Sequence, residues 1–299
     1  MINFQPVKLV DKATMDPYYK RTRMEGSEGT FANSFMWRNA YKIRWAIVED
    51  ALCITADRGE RDFFIPPIGA LTDESFKKAM EALKEHSLGE GCKPEYRGIS
   101  LEMKERIENL FPGEFDLIAD RDNFDYTYLT QDLINLAGRA FHGKKNHANQ
   151  FRRAYPNYEY RPITKDIIPA TIDFALEWCR QRGCDGELSL AMERDAIVEC
   201  LELFDELGYK GGVILVDGKV QAFTYGEMLN DDTAIIHVEK GNGEFKGIYA
   251  VINQEFCQEA WPDTTYINRE EDMGEPGLRK AKESYRPVKM IEKYVACSK

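Results

Sequence analysis

The chain has 299 residues, 43% of them apolar, and its 51 acidic side chains outnumber 40 basic ones, for a formal net charge of −11. This length exceeds the size at which one hydrophobic core usually stops growing, so we expect two domains. The acidic balance excludes a protein coated with phosphate-binding surface and disfavours a regulator that binds duplex DNA, although it leaves room for a local basic groove.

The N-terminal stretch MINFQPVKLVDKATMDPYYK lacks the apolar centre of a signal peptide. The sequence contains no run of about 18 apolar residues that would cross a bilayer. We therefore expect a cytoplasmic protein without a membrane span. The cysteines show no metal-ligand spacing, which predicts reduced packing residues and no metal site. They are Cys53, Cys92, Cys179, Cys184, Cys200, Cys257 and Cys297.

The first half predicts a short helix around residues 13–22, then alternating strands and helices. Two β-rich runs within residues 43–56 meet at Glu49-Asp50, which is typical of a hairpin. A strand at DFFIPPIG, an amphipathic helix, a short strand near Tyr96, a helix over residues 101–110 and strands at FDLIA and DYTYL follow. The apolar stripe of the amphipathic helix comprises Phe76, Ala79, Met80 and Leu83.

A basic segment follows these elements. From Leu133 to Tyr158 there is no Asp or Glu, although the whole chain is acidic. This local reversal favours a phosphate-bearing partner, either a tRNA backbone or a CoA-type nucleotide; a solvated face between two domains is the alternative. The candidate phosphate-binding residues are Lys144, Lys145, Asn146, His147 and Arg152.

The second half repeats the order of the first. It begins with a strand at YEYRP and two helices, followed by two β-rich runs that meet at Asp217-Gly218, a type I′ hairpin signal. A strand at TAIIHVEKG, an apolar-striped helix, a short strand at TTYI, a helix beginning near Gly274 and a closing strand at PVKMIEKYV complete it. This repetition predicts a tandem duplication with domains at residues 1–150 and 151–299.

The strand TAIIHVEKG carries two polar side chains among apolar ones. The period of two residues predicts that Ile235, His237 and Glu239 share one face, so that the imidazole and the carboxylate lie side by side. The loop that follows contains several glycines, which let a backbone approach a ligand, and it precedes a helix start, which attracts anions. We expect phosphate or cosubstrate binding there, with a plain turn as the alternative. The residues are Lys240, Gly241, Gly243, Lys246 and Gly247.

The stretch YINREEDMGEPGLRKAKESYRP is strongly charged. Asp272 and Glu275 have capping-box spacing, and Pro276 suits a first helical turn. The spacing predicts a short helix whose buried stripe comprises Leu278, Ala281 and Tyr285.

The element order of the second half resembles the GNAT acyltransferase fold. Together with this charged stretch and with YLTQDLINLAGRAFHGKKNHANQFRRAYPNYEY, residues 128–160, the tandem arrangement resembles the peptidoglycan aminoacyltransferases and the catalytic part of phosphatidylglycerol lysyltransferase. The sequence is similar to a bacterial family of uncharacterised proteins grouped with the latter domain. The fold class expected is therefore α/β (α+β), with mixed central sheets flanked by helices in two GNAT-like domains.

The resemblance implies that TAIIHVEKG diverges from its neighbouring strand and that an acyl donor lies in the gap. Glu239 is then the first candidate for the general base and His237 the second; alternatively, both close hydrogen bonds at a half-exposed strand end. Tyr225 is a further substrate-binding candidate. Acetyl-CoA-binding members carry Gln or Arg, two residues, Gly, one residue, then Gly or Ala. Here Lys240 fills the first position and Phe245 the last.

In the same fold, the residues after TTYI border the cleft. Asn268, Glu270 and Asp272 are expected to recognise a cationic or amine group, and Arg279 with Lys282 an anion. The alternative is a surface helix stabilised by charges three residues apart.

These expectations combine into an acyltransferase whose second domain transfers an acyl group to an amine or hydroxyl of a small molecule or peptide. No permanent cofactor and no covalent enzyme intermediate is expected; aminoacyl-tRNA or acyl-CoA serves as cosubstrate. The competing interpretation is a non-catalytic protein that keeps the fold to bind a small molecule or a protein.

Overall fold

The computed structural model describes residues 1–57, 59, 62–184 and 187–299. The chain divides into two compact units. The first contains residues Met1–Asp125, Glu271–Gly274 and Met290–Lys299, and the second contains Tyr126–Glu270 and Glu275–Lys289. Among the described residues, no helix is both long and apolar enough to span a bilayer.

The first sheet has the strand order β1-β2-β3-β4-β5-β14-β6. Its strands are β1 (Gln5–Pro6), β2 (Arg44–Val48), β3 (Ala51–Asp57), β4 (Asp62–Ile68), β5 (Glu95–Ile99), β6 (Phe115–Ala119) and β14 (Tyr294–Ser298). The helices of this unit are α1 (Lys12–Thr22), α2 (Phe31–Trp37), α3 (Asp73–Gly89) and α4 (Leu101–Leu110).

Local sequence signals account for these elements. The turn between β2 and β3 places Glu49 and Asp50 at φ +49° and +60°, as a primed hairpin turn requires, which confirms the predicted hairpin. Helix α3 begins after Thr72, whose hydroxyl accepts a hydrogen bond from the Ser75 amide. The predicted stripe of α3 is buried in the core of this unit, together with Tyr96 of β5.

The second sheet has the order β13-β7-β12-β11-β10-β9-β8. Its strands are β7 (Asp125–Leu129), β8 (Glu159–Pro162), β9 (Lys210–Val216), β10 (Lys219–Met228), β11 (Thr233–Gly241), β12 (Tyr266–Asn268) and β13 (Lys289–Ile291). The helices are α5 (Thr130–Asn135), α6 (His142–Ala154), α7 (Ile168–Gln181), α8 (Leu188–Glu202), α9 (Phe204–Leu207), α10 (Ile248–Ala260) and α11 (Pro276–Glu283).

The two faces of this sheet carry different helices. Phe174 of α7 contacts Phe223 of β10, and Phe204 of α9 contacts Tyr225 of the same strand. On the other face, Val251 of α10 and Phe151 of α6 share a buried cluster with Ala222 and its neighbours. We call these the α7 face and the α10 face.

The unit boundary differs from the predicted division at residue 150. Strand β7 pairs with β12 and so belongs to the second sheet, which moves the division to between residues 125 and 126. The closing strand predicted at PVKMIEKYV is two strands: β13 lies in the second sheet, whereas β14 pairs with β5 and β6 of the first. The physical reason is that long-range strand pairing, rather than position along the chain, decides which sheet a strand joins.

The cysteine prediction is wrong for one pair. Cys179, in the last turn of α7, and Cys184 have Cα atoms 5.4 Å apart and form a disulfide. This separation suits a disulfide, and the turn that ends α7 produces it over only five residues of sequence. Cys53, Cys200 and Cys257 are buried free thiols.

Candidate functional site

The pairing between β11 and β12 ends early. The two strands are parallel and pair at Thr233 with Tyr266, Ala234 with Ile267, and Ile235 with Asn268. Strand β11 continues to Gly241, whereas β12 ends at Asn268. Among the described residues, the second half of β11 therefore has a strand partner on its β10 side only. This is the divergence that the fold resemblance predicts.

A β-bulge lies at the start of this divergence. Tyr225 and Gly226 of β10 pair with Val238 and Ile236 of β11, so His237 is an extra residue in β11. Gly226 fits opposite the bulge because a Cβ there would lie 1.9 Å from the carbonyl oxygen of Ile235.

The bulge sends His237 and Glu239 to opposite faces of the sheet. The His237 ring contacts the Tyr209 ring on the α7 face, with centroids 5.6 Å apart. Glu239 accepts a hydrogen bond from Asn253 of α10 on the other face. The expectation that the two side chains lie side by side is therefore wrong, because an extra residue shifts the two-residue period of the strand.

His237 is held between two carboxylates. Its Nδ1 lies 2.8 Å from Glu270 Oε1 and its Nε2 3.0 Å from Glu227 Oε1, and only 1% of the side chain is exposed. Burial alone would lower the pKa of His237, but hydrogen bonds to Glu227 and Glu270 raise it to about 9. Both ring nitrogens donate to carboxylates, so the ring is an imidazolium at neutral pH. It has no lone pair for a proton, which removes His237 from the candidates for general base.

Glu239 lies in a second charged cluster, on the α10 face. Its Oε1 accepts a hydrogen bond of 2.9 Å from Arg269 Nη2, and its Oε2 one of 3.1 Å from Asn253 Nδ2. Arg269 directly follows β12, so this ion pair and the His237–Glu270 pair join β11 to the end of β12 beyond their last backbone pairing, one on each face.

Two polar atoms of this cluster are left over. Asn253 Oδ1 and Arg269 Nη1 are buried and have no hydrogen-bond partner among the described residues. Buried polar groups are almost always satisfied, by protein, water or ligand. The two residues that hold Glu239 therefore also offer one free acceptor and one free donor.

Aromatic rings and a lysine complete the cluster. The Arg269 guanidinium lies 4.8 Å from the ring centroid of Tyr285 and 5.7 Å from that of Tyr128. Lys144 Nζ, from α6, lies 4.1 Å from the Tyr285 centroid. Burial lowers the pKa of Lys144 to about 8, with a further lowering from Arg269 that Glu239 opposes. We call Glu239, Arg269, Asn253, Tyr285 and Lys144 the Glu239 cluster.

Asn268, Glu270 and Asp272, which were predicted to recognise an amine, each interact with other residues of the protein. Asn268 is fully buried, and its Oδ1 accepts a hydrogen bond from the Glu270 amide at 2.7 Å. The Glu270 carboxylate binds His237. In the first unit, Asp272 is fully buried and pairs with Arg121 at 3.2 Å. Asn268 and Asp272 therefore do not present their side chains to solvent for a ligand.

Helix α11 is oriented differently from the prediction. Leu278 is 41% exposed and Ala281 is also exposed, whereas Lys282 and Tyr285 are buried. Lys282 Nζ donates to the carbonyl oxygens of Arg269 and Glu270, which holds the chain at the end of β12. Arg279 is half-buried. The predicted stripe is confirmed for Tyr285 and wrong for Leu278 and Ala281. Lys282 is buried in their place because carbonyl groups at the end of β12 accept hydrogen bonds from it, partners that helix periodicity does not reveal.

The predicted capping box is also absent. Glu275 precedes the first residue of α11 and makes no side-chain cap hydrogen bond, while Asp272 Oδ1 accepts from the Gly274 amide. Pro276 does occupy the first turn, as predicted.

The glycine-containing loop has few free groups. Lys240 pairs with Glu193 at 2.7 Å and lies over the Trp178 ring on the α7 face. The Gly241 carbonyl accepts hydrogen bonds from Trp178 and Tyr249. Gly243 and Lys246 are exposed.

Gly247 precedes α10 with φ +93°, and a Cβ there would lie 2.2 Å from the His147 carbonyl oxygen of α6. Helix α6 therefore packs against the start of α10, where an anion would otherwise approach the helix N-terminus.

Helix α6 carries the basic segment on two sides. Lys145, Asn146 and His147 are exposed, whereas Lys144 is half-buried and belongs to the Glu239 cluster. Arg152 binds Glu255 at 2.7 Å and the Tyr158 hydroxyl at 3.0 Å. The structure therefore brings only Lys144 of this set to the Glu239 cluster.

Tyr225 is a core residue. It is fully buried, and its ring packs against Tyr209, Phe204 and Phe223 on the α7 face. Burial raises the pKa of its hydroxyl well above the ordinary value. It lies on the face opposite Glu239.

Sequence reasoning missed Arg269, Asn253 and Tyr285 as members of the site. A signal was present for Arg269, because a charged residue directly after a buried strand needs a partner. Asn253 interrupts an otherwise apolar helix stripe, which is a second usable signal. The identity of each partner required the tertiary structure.

Comparisons with known proteins identify the family of the chain. A sequence profile described as "Phosphatidylglycerol lysyltransferase, C-terminal" matches residues 19–297. An uncharacterized protein of Mycoplasmoides gallisepticum is 20% identical over 179 residues, 60% of this chain, and the match spans 57% of that protein's length.

Solved structures share the fold over the whole chain. A conserved protein of unknown function from Bacteroides thetaiotaomicron is 38% identical with a TM-score of 0.94, covering 100% of both chains. L-PGS from Bacillus licheniformis is 15% identical with a TM-score of 0.67, covering 100% of this chain and 94% of that one. A tandem GNAT protein from the clavulanic acid biosynthesis pathway is 9% identical with a TM-score of 0.51, covering 99% and 98%. These confirm the tandem GNAT-like fold, and family and fold together support a general acyltransferase function.

Proposed function

The chain belongs to the phosphatidylglycerol lysyltransferase C-terminal family, and on that premise we propose that it transfers an aminoacyl group from an aminoacyl-tRNA to an amine or hydroxyl acceptor at the Glu239 cluster. One observation carries the proposal. The residues that hold Glu239 leave a buried donor, Arg269 Nη1, and a buried acceptor, Asn253 Oδ1, unsatisfied next to strands whose pairing has ended. Such a combination of a carboxylate with free polar groups is what a reacting carbonyl and an amine require.

Glu239 acts as the general base in this proposal. A carboxylate has about four lone-pair sites, of which Arg269 and Asn253 use two, so Glu239 can accept a further proton from the attacking acceptor. Arg269 Nη1 is the donor available for the oxygen of the carbonyl as negative charge develops on it. The His237 imidazolium does not exchange protons here; it fixes Glu270 and thus the segment that carries Arg269.

The choice of donor rests on the loop after β11. An acyl-CoA donor would need several cations and an open helix start at this loop. Lys240 is paired with Glu193, which leaves the exposed Lys246, and α6 packs on Gly247. Helix α6 instead offers the exposed Lys145 and His147 beside Lys144. Aminoacyl-tRNA, whose backbone binds scattered surface cations, therefore fits better than acyl-CoA. Acyl-CoA is the second candidate, which the glycine-containing loop alone favours.

The proposal is tested with both classes of donor. The purified protein is incubated with charged tRNAs or CoA thioesters and a set of amine acceptors, and complexes are recorded by native mass spectrometry while product formation is followed. We expect retention of charged tRNA and transfer that falls by about 10²- to 10⁴-fold in Glu239→Gln with donor binding kept. Glu244→Gln is the matched control, because Glu244 is exposed in the following loop.

Two outcomes contradict the proposal. Full transfer by Glu239→Gln would remove Glu239 from the chemistry. Retention of a ligand without turnover by the unaltered chain, across both donor classes, would identify the non-catalytic binding protein instead.

A further inference from the structure

Lys144 differs from the other lysines around the end of β12 and β11. Lys240 forms an ion pair with Glu193, and Lys282 donates to two backbone carbonyl groups. Lys144 has no carboxylate within ion-pair distance among the described residues; its Nζ lies over the Tyr285 ring instead. Its amine is therefore not committed to a strong acceptor.

A second cation shares the same ring. Arg269 contacts Tyr285 as well, and Arg269 keeps its charge because it is paired with Glu239. The half-buried position, and to a smaller extent repulsion from Arg269, disfavour the protonated form of Lys144; Glu239 opposes them, and the pKa of Lys144 falls to about 8. At pH 7.5, roughly a quarter of such an amine is neutral, against about one in a thousand for an ordinary lysine.

A neutral amine is a nucleophile, and this one belongs to the cluster in which the function proposed above puts the donor carbonyl. We propose that Lys144 is itself an acyl acceptor, so that the protein acylates its own α6 helix at this side chain. The inference rests on the function proposed above, since it requires an activated acyl ester in the Glu239 cluster.

The chemical step balances without another reactant. The Lys144 Nζ lone pair attacks the ester carbonyl carbon, a C–N bond forms, and the bond from carbon to the ribose oxygen of the donor breaks. The proton lost by the nitrogen ends on that ribose hydroxyl. The product is an amide at Nζ, and an amide nitrogen carries no charge, so Lys144 Nζ ceases to be one of the two cations that contact Tyr285; an aminoacyl group adds its own ammonium further along the new side chain.

Reactivity of the amine is tested first without any biological donor. The folded protein is pulse-labelled with N-hydroxysuccinimidyl acetate from pH 6 to 10, and labelling of Lys144 and of the adjacent, exposed Lys145 is read from the same digests by mass spectrometry. We expect half-maximal labelling of Lys144 near pH 8. Arg269→Met should move that midpoint upward, because it removes a neighbouring positive charge. A Lys144 profile that keeps rising to pH 10, as for an ordinary lysine, would overturn the inference.

The second arm uses the donors. The unaltered protein and Lys144→Arg are incubated with charged tRNA or CoA thioester, with and without an external amine, and the intact mass and the modified peptide are measured. Acyl mass on Lys144 of the unaltered chain, absent from Lys144→Arg, supports the inference. Transfer to the external amine without any acyl mass on Lys144 overturns the inference alone. Transfer to neither acceptor overturns the proposed function and the inference together.

Discussion

The side chains of His237 and Glu239 lie on opposite faces of the second sheet, although a single residue separates them in β11. The bulge opposite Tyr225 and Gly226 causes this, because it adds His237 to the strand without adding a partner in β10. Each side chain then binds a residue that follows β12: His237 binds Glu270 and Glu239 binds Arg269. Side-chain ion pairs thus hold the two strands together where their backbone pairing has ended, and the free polar atoms of the site stay on the α10 face.

The His237 imidazolium makes stability depend on pH. The pKa of His237 is about 9 in the folded chain, above the unfolded value of about 6.5. The folded state therefore binds the extra proton between these values, and stability that is complete below about pH 6.5 is lost as the pH rises through 9. We expect the free energy of unfolding to fall by about 3 kcal/mol over this window. Urea denaturation at pH 6, 7, 8 and 9 measures it.

His237→Gln is the control for that experiment. Glutamine keeps one hydrogen bond to the carboxylates but cannot titrate, so its stability should be lower at pH 6 and nearly flat from pH 6.5 to 9. A variant whose pH profile parallels that of the unaltered chain would show that His237 does not carry the proton. The ¹⁵N shifts of both ring nitrogens at pH 7 report the imidazolium directly.

The bulge can be tested at Gly226. A methyl group on Gly226 would lie 1.9 Å from the Ile235 carbonyl oxygen, so Gly226→Ala forces β10 and β11 apart. We expect a loss of about 2 kcal/mol or more in the free energy of unfolding. Gly243→Ala is the comparison, because nothing lies within 4 Å of a Cβ at that position. Equal stabilities of the two variants would mean that the close approach at the bulge is not maintained.

The first unit contains a buried lysine whose removal should be costly. Lys293 Nζ lies 2.8 Å from Asp125 and 2.9 Å from Glu28, and it donates to the Ser27 hydroxyl. Burial alone would lower the pKa of Lys293, but the two carboxylates raise it well above the ordinary value. Lys293→Met leaves these carboxylates without their cation, and we expect a loss of about 3–5 kcal/mol.

The matched variant for Lys293 is Lys84→Met. Lys84 pairs with Glu114 at 2.7 Å, but both side chains are more than a third exposed, so its loss should cost at most about 1 kcal/mol. Chemical denaturation of both variants gives the comparison. If Lys293→Met and Lys84→Met lost similar amounts of free energy of unfolding, the buried network around Lys293 would be contradicted.

The disulfide between Cys179 and Cys184 predicts sensitivity to reductant. The two cysteines are five residues apart in the sequence. For a loop of this length, the loss of chain entropy in the unfolded state gives a stabilisation of about 2 kcal/mol. We expect dithiothreitol to lower the free energy of unfolding by that amount, and Cys179→Ser with Cys184→Ser to remove the response. Cys92→Ser, at an exposed free thiol, should leave the response intact. Quantification of free thiols by mass spectrometry confirms the bond.

The sequence by itself determined the order of the elements and the fold family. The turns at Glu49-Asp50 and Asp217-Gly218 could be predicted because primed turns require residues that tolerate positive φ. The structure has positive φ at all four residues. The buried apolar stripe of α3 could be predicted because helix periodicity depends only on neighbours along the chain. The divergence after Ile235 followed from the family resemblance.

Only the tertiary structure decided the membership of the site. One inserted residue in a ladder reverses every later side chain, and whether a bulge forms depends on pairing with a distant strand. Glu270 and Arg269, which bind His237 and Glu239, lie 33 and 30 residues further along the chain. Asn253 binds Glu239, and Lys144 contacts Tyr285, from two helices packed on one face. Local periodicity carries no information about such contacts, because burial and charge pairing are set by elements that meet only after the chain has folded.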